Sequence, residues 1–344
     1  MNTESKTGSF SSGKHGQARG PWLLWLFLAL PVLLAGCKSP APPPPRERTL
    51  WGHLGGVYAL AITPDGKTMA SAGEDNIIKL WDLASERDIG TLKGHTEKVV
   101  ALALTADGKT LASASWDRHI CFWDLARQEL RAKREASSYR MRALVFTPDD
   151  KTLISGSDEG AIKLWDVEEA KERTMLAGHK NGISSLAVTR DGKMLASAAM
   201  DQTIKLWDLG RGKTRTTLPE AQHKITCVAF SPDGQILASA GFDGAIHFWG
   251  AITGSPEDTL QAGAGKVWTI VFSPDGKTLA SGHMDGTVRL WNVSEHKQTM
   301  LFRGHNGAVI ALAFTPDGKT LASGSQDRTI KLWDVPAESA ATSP

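Results

Sequence analysis

The chain has 344 residues, 41% hydrophobic and 22% charged, which is too apolar for disorder and long enough for one large core or two ordinary domains. Lys and Arg number 39 against 37 Asp and Glu, and Glu4, Lys6, Lys14 and Arg19 of that set lie in a leader, so no overall field holds a polyanion and nucleic acid is not an expected partner. Three Cys are too few for a disulfide framework.

Residues 1–20 are polar and basic, and residues 22–35 form an apolar run of 14. That run is shorter than the roughly 20 residues a helix needs to cross a bilayer, and it matches the apolar stretch of a secretory signal. Leu34-Ala35-Gly36-Cys37 follows and resembles the bacterial lipoprotein box. The resemblance implies a signal peptide over residues 1–36, removed to leave lipidated Cys37 first; the other reading is an uncleaved anchor. Lys38 stands where an inner-membrane retention signal would have Asp, which favours the outer membrane or cell surface. Pro40 and residues 42–45, all Pro, complete a tether over residues 37–45. An extended proline spacer rises about 3.1 Å per residue, so the tether would hold the folded part roughly 20–30 Å from the membrane.

Beyond the tether the sequence repeats every 42 residues without an insertion: Trp81, Trp123, Trp165, Trp207, Trp249, Trp291 and Trp333. Ten residues before each Trp stands Ser71, Ser113, Ser155, Ser197, Ser239, Ser281 or Ser323. Six before it stands an acid: Asp75, Asp117, Glu159, Asp201, Asp243, Asp285 or Asp327. Gly-His precedes in four units, at His53, His95, His179 and His305. Within a unit, apolar alternation broken by Pro-Asp-Gly and a second acidic turn predicts four short strands. Unit seven shows three of them, at 309–315, 320–323 and 329–333, and stops without a fourth. Residues 46–51 align with the fourth strand of other units. They are therefore predicted to pair beside 329–333 and close a ring of seven four-stranded antiparallel blades, an all-β propeller over residues 46–335 with a disordered tail at 336–344.

The Gly-His and Trp-Asp punctuation resembles the WD40-repeat family. The resemblance implies a buried quartet in which the indole N–H donates to Ser, Ser to His and His to the turn acid. Four units are complete: His53, Ser71, Asp75, Trp81; His95, Ser113, Asp117, Trp123; His179, Ser197, Asp201, Trp207; and His305, Ser323, Asp327, Trp333. Units three, five and six carry Ser137, Ala221 and Gly263 at the His position, with His223 displaced by two in unit five. These blades are expected to be softer by around 1 kcal/mol per missing bond.

Seven copies of a mid-strand Ser argue against a hydrolase triad, so the chain is not expected to be an enzyme. His119, His247, His283 and His296 lack ligand spacing, and neither metal nor cofactor is expected. Cys121 and Cys227 fall in different units and are expected as free thiols. Function is sought where the repeats differ. The residue before the turn acid is Glu74, Trp116, Asp158, Met200, Phe242, Met284 or Gln326; the residue 23 before the Trp is Tyr58, Val100, Arg142, Ser184, Thr226, Trp268 or Ile310. By the resemblance, both positions open on the face that carries the Gly-His loops, where peptides dock. Tyr58, Trp116, Arg142, Met200, Phe242, Trp268 and Met284 form the expected binding face, bordered by Lys98, Arg140, Lys224 and Lys266. Self-packing of these side chains over the channel mouth is the competing reading. The expected function is a monomeric scaffold for an unidentified protein or peptide, tethered to the bacterial envelope. A channel-based sensor or enzyme and a purely architectural protein are the alternatives.

Overall fold

A computed structural model describes residues 47–218, 223–263 and 265–336. Cys37, the leader, the whole tether, Arg46, Ala221 and the tail after Pro336 lie outside the described residues. The described chain forms seven sheets of four antiparallel strands each. Blade one comprises Val57–Ile62, Thr68–Gly73, Ile77–Asp82 and Arg87–Lys93. Blade seven takes Val309–Phe314, Thr320–Ser325 and Ile330–Asp334 from the end of the repeat and Glu47–Leu50 from its beginning. The register runs from Glu47 opposite Trp333 to Leu50 opposite Ile330, so the ring is closed by the N-terminal strand as the offset of the repeat predicts.

Each blade is apolar on both faces because each packs on two neighbours. Seven core clusters fill the seven interfaces, and every one joins consecutive blades. Ala70, Ala72, Ile78 and Leu80 of blade one meet Val99, Leu111, Cys121 and Trp123 of blade two. Leu50 and Leu332 of blade seven meet Val57, Met69 and Trp81 of blade one. The small Ala, Ser and Gly residues of the second strands, joined by Ile154 in blade three, keep the sheets close, since larger side chains throughout would overpack the interface. Lys331 points to the face opposite Ile330 and Leu332 and is nevertheless buried, because Glu47 and Thr49 of the closing strand cover its ammonium. Cys121 and Cys227 are unbonded, and burial pushes both thiols up to about 12.

One hydroxyl closes the first hairpin in every blade. Thr63, Thr105, Thr147, Thr189, Ser231, Ser273 and Thr315 each donate to the Asp carboxylate two residues on, at 2.6–2.8 Å. The residue after that Asp needs positive φ, which Gly supplies in six blades. Blade three uses Asp150 at φ 59°, and its carboxylate accepts the backbone N–H groups of Ala106 and Asp107 in blade two at 2.6 and 3.0 Å.

Candidate docking face

Four blades contain a closed hydrogen-bond chain. In blade two Trp123 Nε1–H donates to Ser113 Oγ at 2.8 Å, Ser113 Oγ lies 2.8 Å from His95 Nε2, and His95 Nδ1 lies 3.0 Å from Asp117. The same sets form from His53, Ser71, Asp75 and Trp81, from His179, Ser197, Asp201 and Trp207, and from His305, Ser323, Asp327 and Trp333. The roles are consistent when each His is neutral and carries its proton on Nδ1. Burial alone would raise the Asp117 carboxyl, but His95 and the N–H groups of Thr96 and His119 outweigh it and hold the group well below the usual carboxylate range. All seven repeat serines are at most 2% exposed, so none can reach a substrate and these Ser-His-Asp sets are structural.

The three irregular blades do not simply lack bonds. In blade three Ser137 is shorter than His and Glu159 longer than Asp, and the two still meet at 2.9 Å. In blade six His283, two residues along the same strand from Ser281 and on the same side, offers Nε2 to Ser281 Oγ at 2.8 Å while Trp291 donates to that oxygen. The nitrogen lost with the Gly-His loop is thus replaced from within the sheet. In blade five His223 and His247 both reach Asp243, at 3.1 and 2.7 Å. Strand alternation thus places His283 on a repeat serine and His247 beside a turn acid.

Burial, with Arg289 nearby and Asp285 opposing, lowers the His283 pKa to about 4. An unfolded His titrates near 6.5. Between those values the unfolded chain takes up a proton that the folded blade refuses. Stability is therefore complete above about pH 6.5, falls as the pH drops, and levels near pH 4, with a total loss of about 3 kcal/mol. Burial also lowers His179 and His305, which act in the same direction. Replacing His283 by Ser, as at Ser115, Ser157 and Ser325 of the corresponding positions, should flatten the part of this slope that His283 causes. Urea midpoints at pH 4.5 and pH 7 measure it, and an unaltered difference between them refutes the assignment.

The two variable positions are fixed by backbone features shared by every blade. The N–H of Glu74, Trp116, Asp158, Met200, Phe242, Met284 and Gln326 donates to the carbonyl of Gly56, Lys98, Arg140, Gly182, Lys224, Lys266 and Ala308, at 2.7–3.0 Å. A β-bulge falls at Tyr58, Val100, Arg142, Ser184, Thr226, Trp268 and Ile310, between the first and third residues of each innermost strand. A bulge leaves one residue unpaired and re-aims its side chain. Each blade thus presents a bulge residue, a residue before the turn acid and the residue bonded to it.

Side chains at these positions meet in two groups. Trp116 lies under Lys98, Arg140 and Arg142, at 5.0, 4.4 and 5.5 Å from the ring centre. Lys98 also covers Tyr58 at 5.7 Å and pairs with Glu74, and Arg142 holds Asp158 at 2.7 Å. Beside them a cleft of about 410 Å³ is lined by Glu97, Trp116, Arg118, Tyr139, Arg140 and Asp158. In the second group Phe242 packs edge-on against Trp268 at 5.6 Å, with Lys266 at 4.1 Å and Lys224 at 5.8 Å from the Phe242 ring. The bases therefore cap the aromatic rings instead of bordering them, because a cation gains by lying on a ring face. Met284 is half-exposed and Met200 partly buried. The indole nitrogens of Trp116 and Trp268 are buried without a hydrogen-bond partner. No helix among the described residues is long and apolar enough to cross a membrane.

Residues 140–342 match the family described as IFT122 first beta-propeller, and residues 45–82 and 86–124 match WD domain, G-beta repeat. Among curated relatives, small ribosomal subunit protein RACK1z of Arabidopsis thaliana is 39% identical over 59 residues, covering 17% of this chain and 16% of the relative. Small ribosomal subunit protein RACK1 of Medicago sativa is 46% identical over 46 residues, 13% of this chain and 14% of the relative. The same-named protein of Candida albicans is 44% identical over 41 residues, 12% and 13%. The chain spans about one sixth or less of the length of these relatives.

Proposed function

This chain belongs to the WD40-repeat β-propeller family, a fold that fits a protein-interaction scaffold, and from that premise we propose that it is a non-enzymatic scaffold binding an acidic protein segment on the Gly-His face. The observation that carries this reading is the pair of cation-capped aromatic groups. Lys98, Arg140, Arg142, Lys224 and Lys266 outnumber Glu74 and Asp158 there, which favours acidic side chains in the partner. Trp116, Trp268, Phe242 and Tyr58 supply rigid aromatic area. Arg142, Met200 and Met284 widen the surface. Self-packing of Phe242 on Trp268 preorganises the pair, and preorganisation lowers the ordering cost of binding.

We further propose that lipidated Cys37 holds the propeller at the bacterial cell envelope, the outer membrane or cell surface being favoured, as the sequence Leu34-Ala35-Gly36-Cys37 and the following Lys38 support. A photo-crosslinking residue at half-exposed Met284 should capture one envelope protein, and Trp268→Ala or Lys266→Glu should abolish capture. The same residue at Ile252, in the cleft lined by Asp191, Lys193 and Asp233 of the hairpin turns, should not capture it. Equal capture from both positions, or capture indifferent to Trp268, overturns the docking reading. Cys37→Ser should yield soluble or unprocessed protein, and unchanged processing and fractionation would refute the anchor.

A further inference from the structure

We propose that His223, Asp243 and His247 form a binding site for a first-row divalent transition-metal ion. One ligand atom from each, two imidazole nitrogens and a carboxylate oxygen, lies within 4.8 Å of the others. Both imidazoles turn Nε2 to the same oxygen, Asp243 Oδ2, at 3.1 Å from His223 and 2.7 Å from His247. Ligands bound at about 2.0–2.1 Å from an ion sit about 3 Å from one another at adjacent coordination positions, and these separations match. The two rings are stacked, 5.6 Å apart at 22°. The three side chains are 21–25% exposed, which gives an ion access and leaves room for water at the remaining positions.

The repeat shows how unusual this arrangement is. In blades one, two, four and seven the turn acid bonds a Gly-His histidine that is itself committed to Ser. Blade five moves its histidine by two residues, to 223, and His223 meets Asp243 instead. The residue four after the acid is Lys79, Lys163, Lys205 or Lys331 in blades one, three, four and seven, Cys121 in blade two, and Arg289 in blade six, where it reaches Asp285 at 3.3 Å. In blade five that cation is replaced by neutral-capable His247, in the same reach of its acid. Two independent departures from one repeat therefore converge on one carboxylate.

The support around the ligands has the order a metal site needs. His247 Nδ1 lies 3.1 Å from Thr259 Oγ1 on the neighbouring strand Pro256–Gln261, so with Nδ1 protonated and donating to Thr259 the Nε2 lone pair is free for the ion. His247 sits in the middle of strand Ala245–Gly250, opposite Ser239 on one side and Thr259 on the other, which fixes its ring. Asp243 donates nothing and its other oxygen accepts the N–H of Ala245 at 3.2 Å. Two imidazoles and one carboxylate suit zinc, cobalt, nickel or iron rather than calcium or magnesium.

The test uses the chain without a histidine tag, stripped by chelator, titrated with Zn²⁺ in a calorimeter and with Co²⁺ under visible absorption. One Zn²⁺ per chain should bind saturably and raise the melting temperature, and Co²⁺ should give ligand-field bands that Zn²⁺ bleaches. His223→Ala, Asp243→Asn and His247→Lys should each weaken Zn²⁺ at least ~100-fold. His247→Lys restores the residue type of four other blades, and far-ultraviolet dichroism checks that it folds. His296→Ala removes a separate histidine–carboxylate pair with Asp258 and should leave the one-to-one site intact. Absence of saturable binding, or affinity unchanged in His247→Lys, overturns the proposal. So does a result in which the three variants alter stability alone, because the triad is then only a substitute for the missing quartet.

Discussion

Replacing Arg48, Thr49 and Leu50 together by Gly, Ser and Gly is expected to lower stability by about 4–6 kcal/mol and to make the propeller self-associate. Leu50 is 4% exposed among Val57, Met69, Trp81, Ile330 and Leu332, and emptying such a site costs about 2–5 kcal/mol alone. The triple change also removes Arg48 from Asp334 and Glu86, and weakens the pairing that joins the two ends of the ring. Glycine adds unfolded-state freedom that the closing strand must lose again. Since a folded domain is stable by only about 5–15 kcal/mol, a loss of this size should shift the urea midpoint severely. Once the closing strand leaves, Ile330–Asp334 offers a bare edge to another chain, and size-exclusion elution should move to larger species. Trp51→Ser is the control: Trp51 is 74% exposed, so that change should fall within about 0.5 kcal/mol. A triple variant that melts at the parental urea concentration as a monomer would show that the ring does not depend on the strand.

The closure was legible because it needs only the register of a repeat. Unit seven ends one strand short and residues 46–51 carry the missing pattern; the structure forms that strand over Glu47–Leu50, with Arg46 outside the described residues. The bulges were harder, since Tyr58, Val100, Arg142, Ser184, Thr226, Trp268 and Ile310 share no residue type. A signal existed all the same. Apolar residues at 309, 312 and 314 are spaced three and then two, and the odd step breaks strand alternation where the bulge lies. The same step separates Met141 from Leu144 and Val267 from Ile270. His283 was equally readable, being two residues from Ser281 in one strand, once histidine is sought outside the Gly-His loop. The meeting of His223 with His247 was not readable: they come from a loop and a strand 24 residues apart, and only the turn at Asp243 brings them together. Nor does spacing reveal that Arg140 lies over Trp116, because a long side chain can leave its backbone in several directions.

Ser113→Ala is expected to cost about 3–5 kcal/mol, against about 1–2 kcal/mol for Ser239→Ala three blades away. Both serines accept an indole N–H, at 2.8 Å from Trp123 and 2.9 Å from Trp249. The difference is on the other side of the hydroxyl. Ser113 also bonds His95 Nε2, whose Nδ1 is held by Asp117, so its loss strands a buried donor and a buried acceptor at once. Each such group left unpaired costs about 1–3 kcal/mol. Blade five has no Gly-His histidine beyond Ser239, and Trp249 is less deeply buried than Trp123, so only one partially wetted donor is affected. Urea midpoints of the two variants decide the matter. Equal losses would mean that the indole bond alone carries the effect and that His95 and Asp117 contribute nothing through the serine. A gap of about 2 kcal/mol or more identifies a network in which Ser113 is the joint.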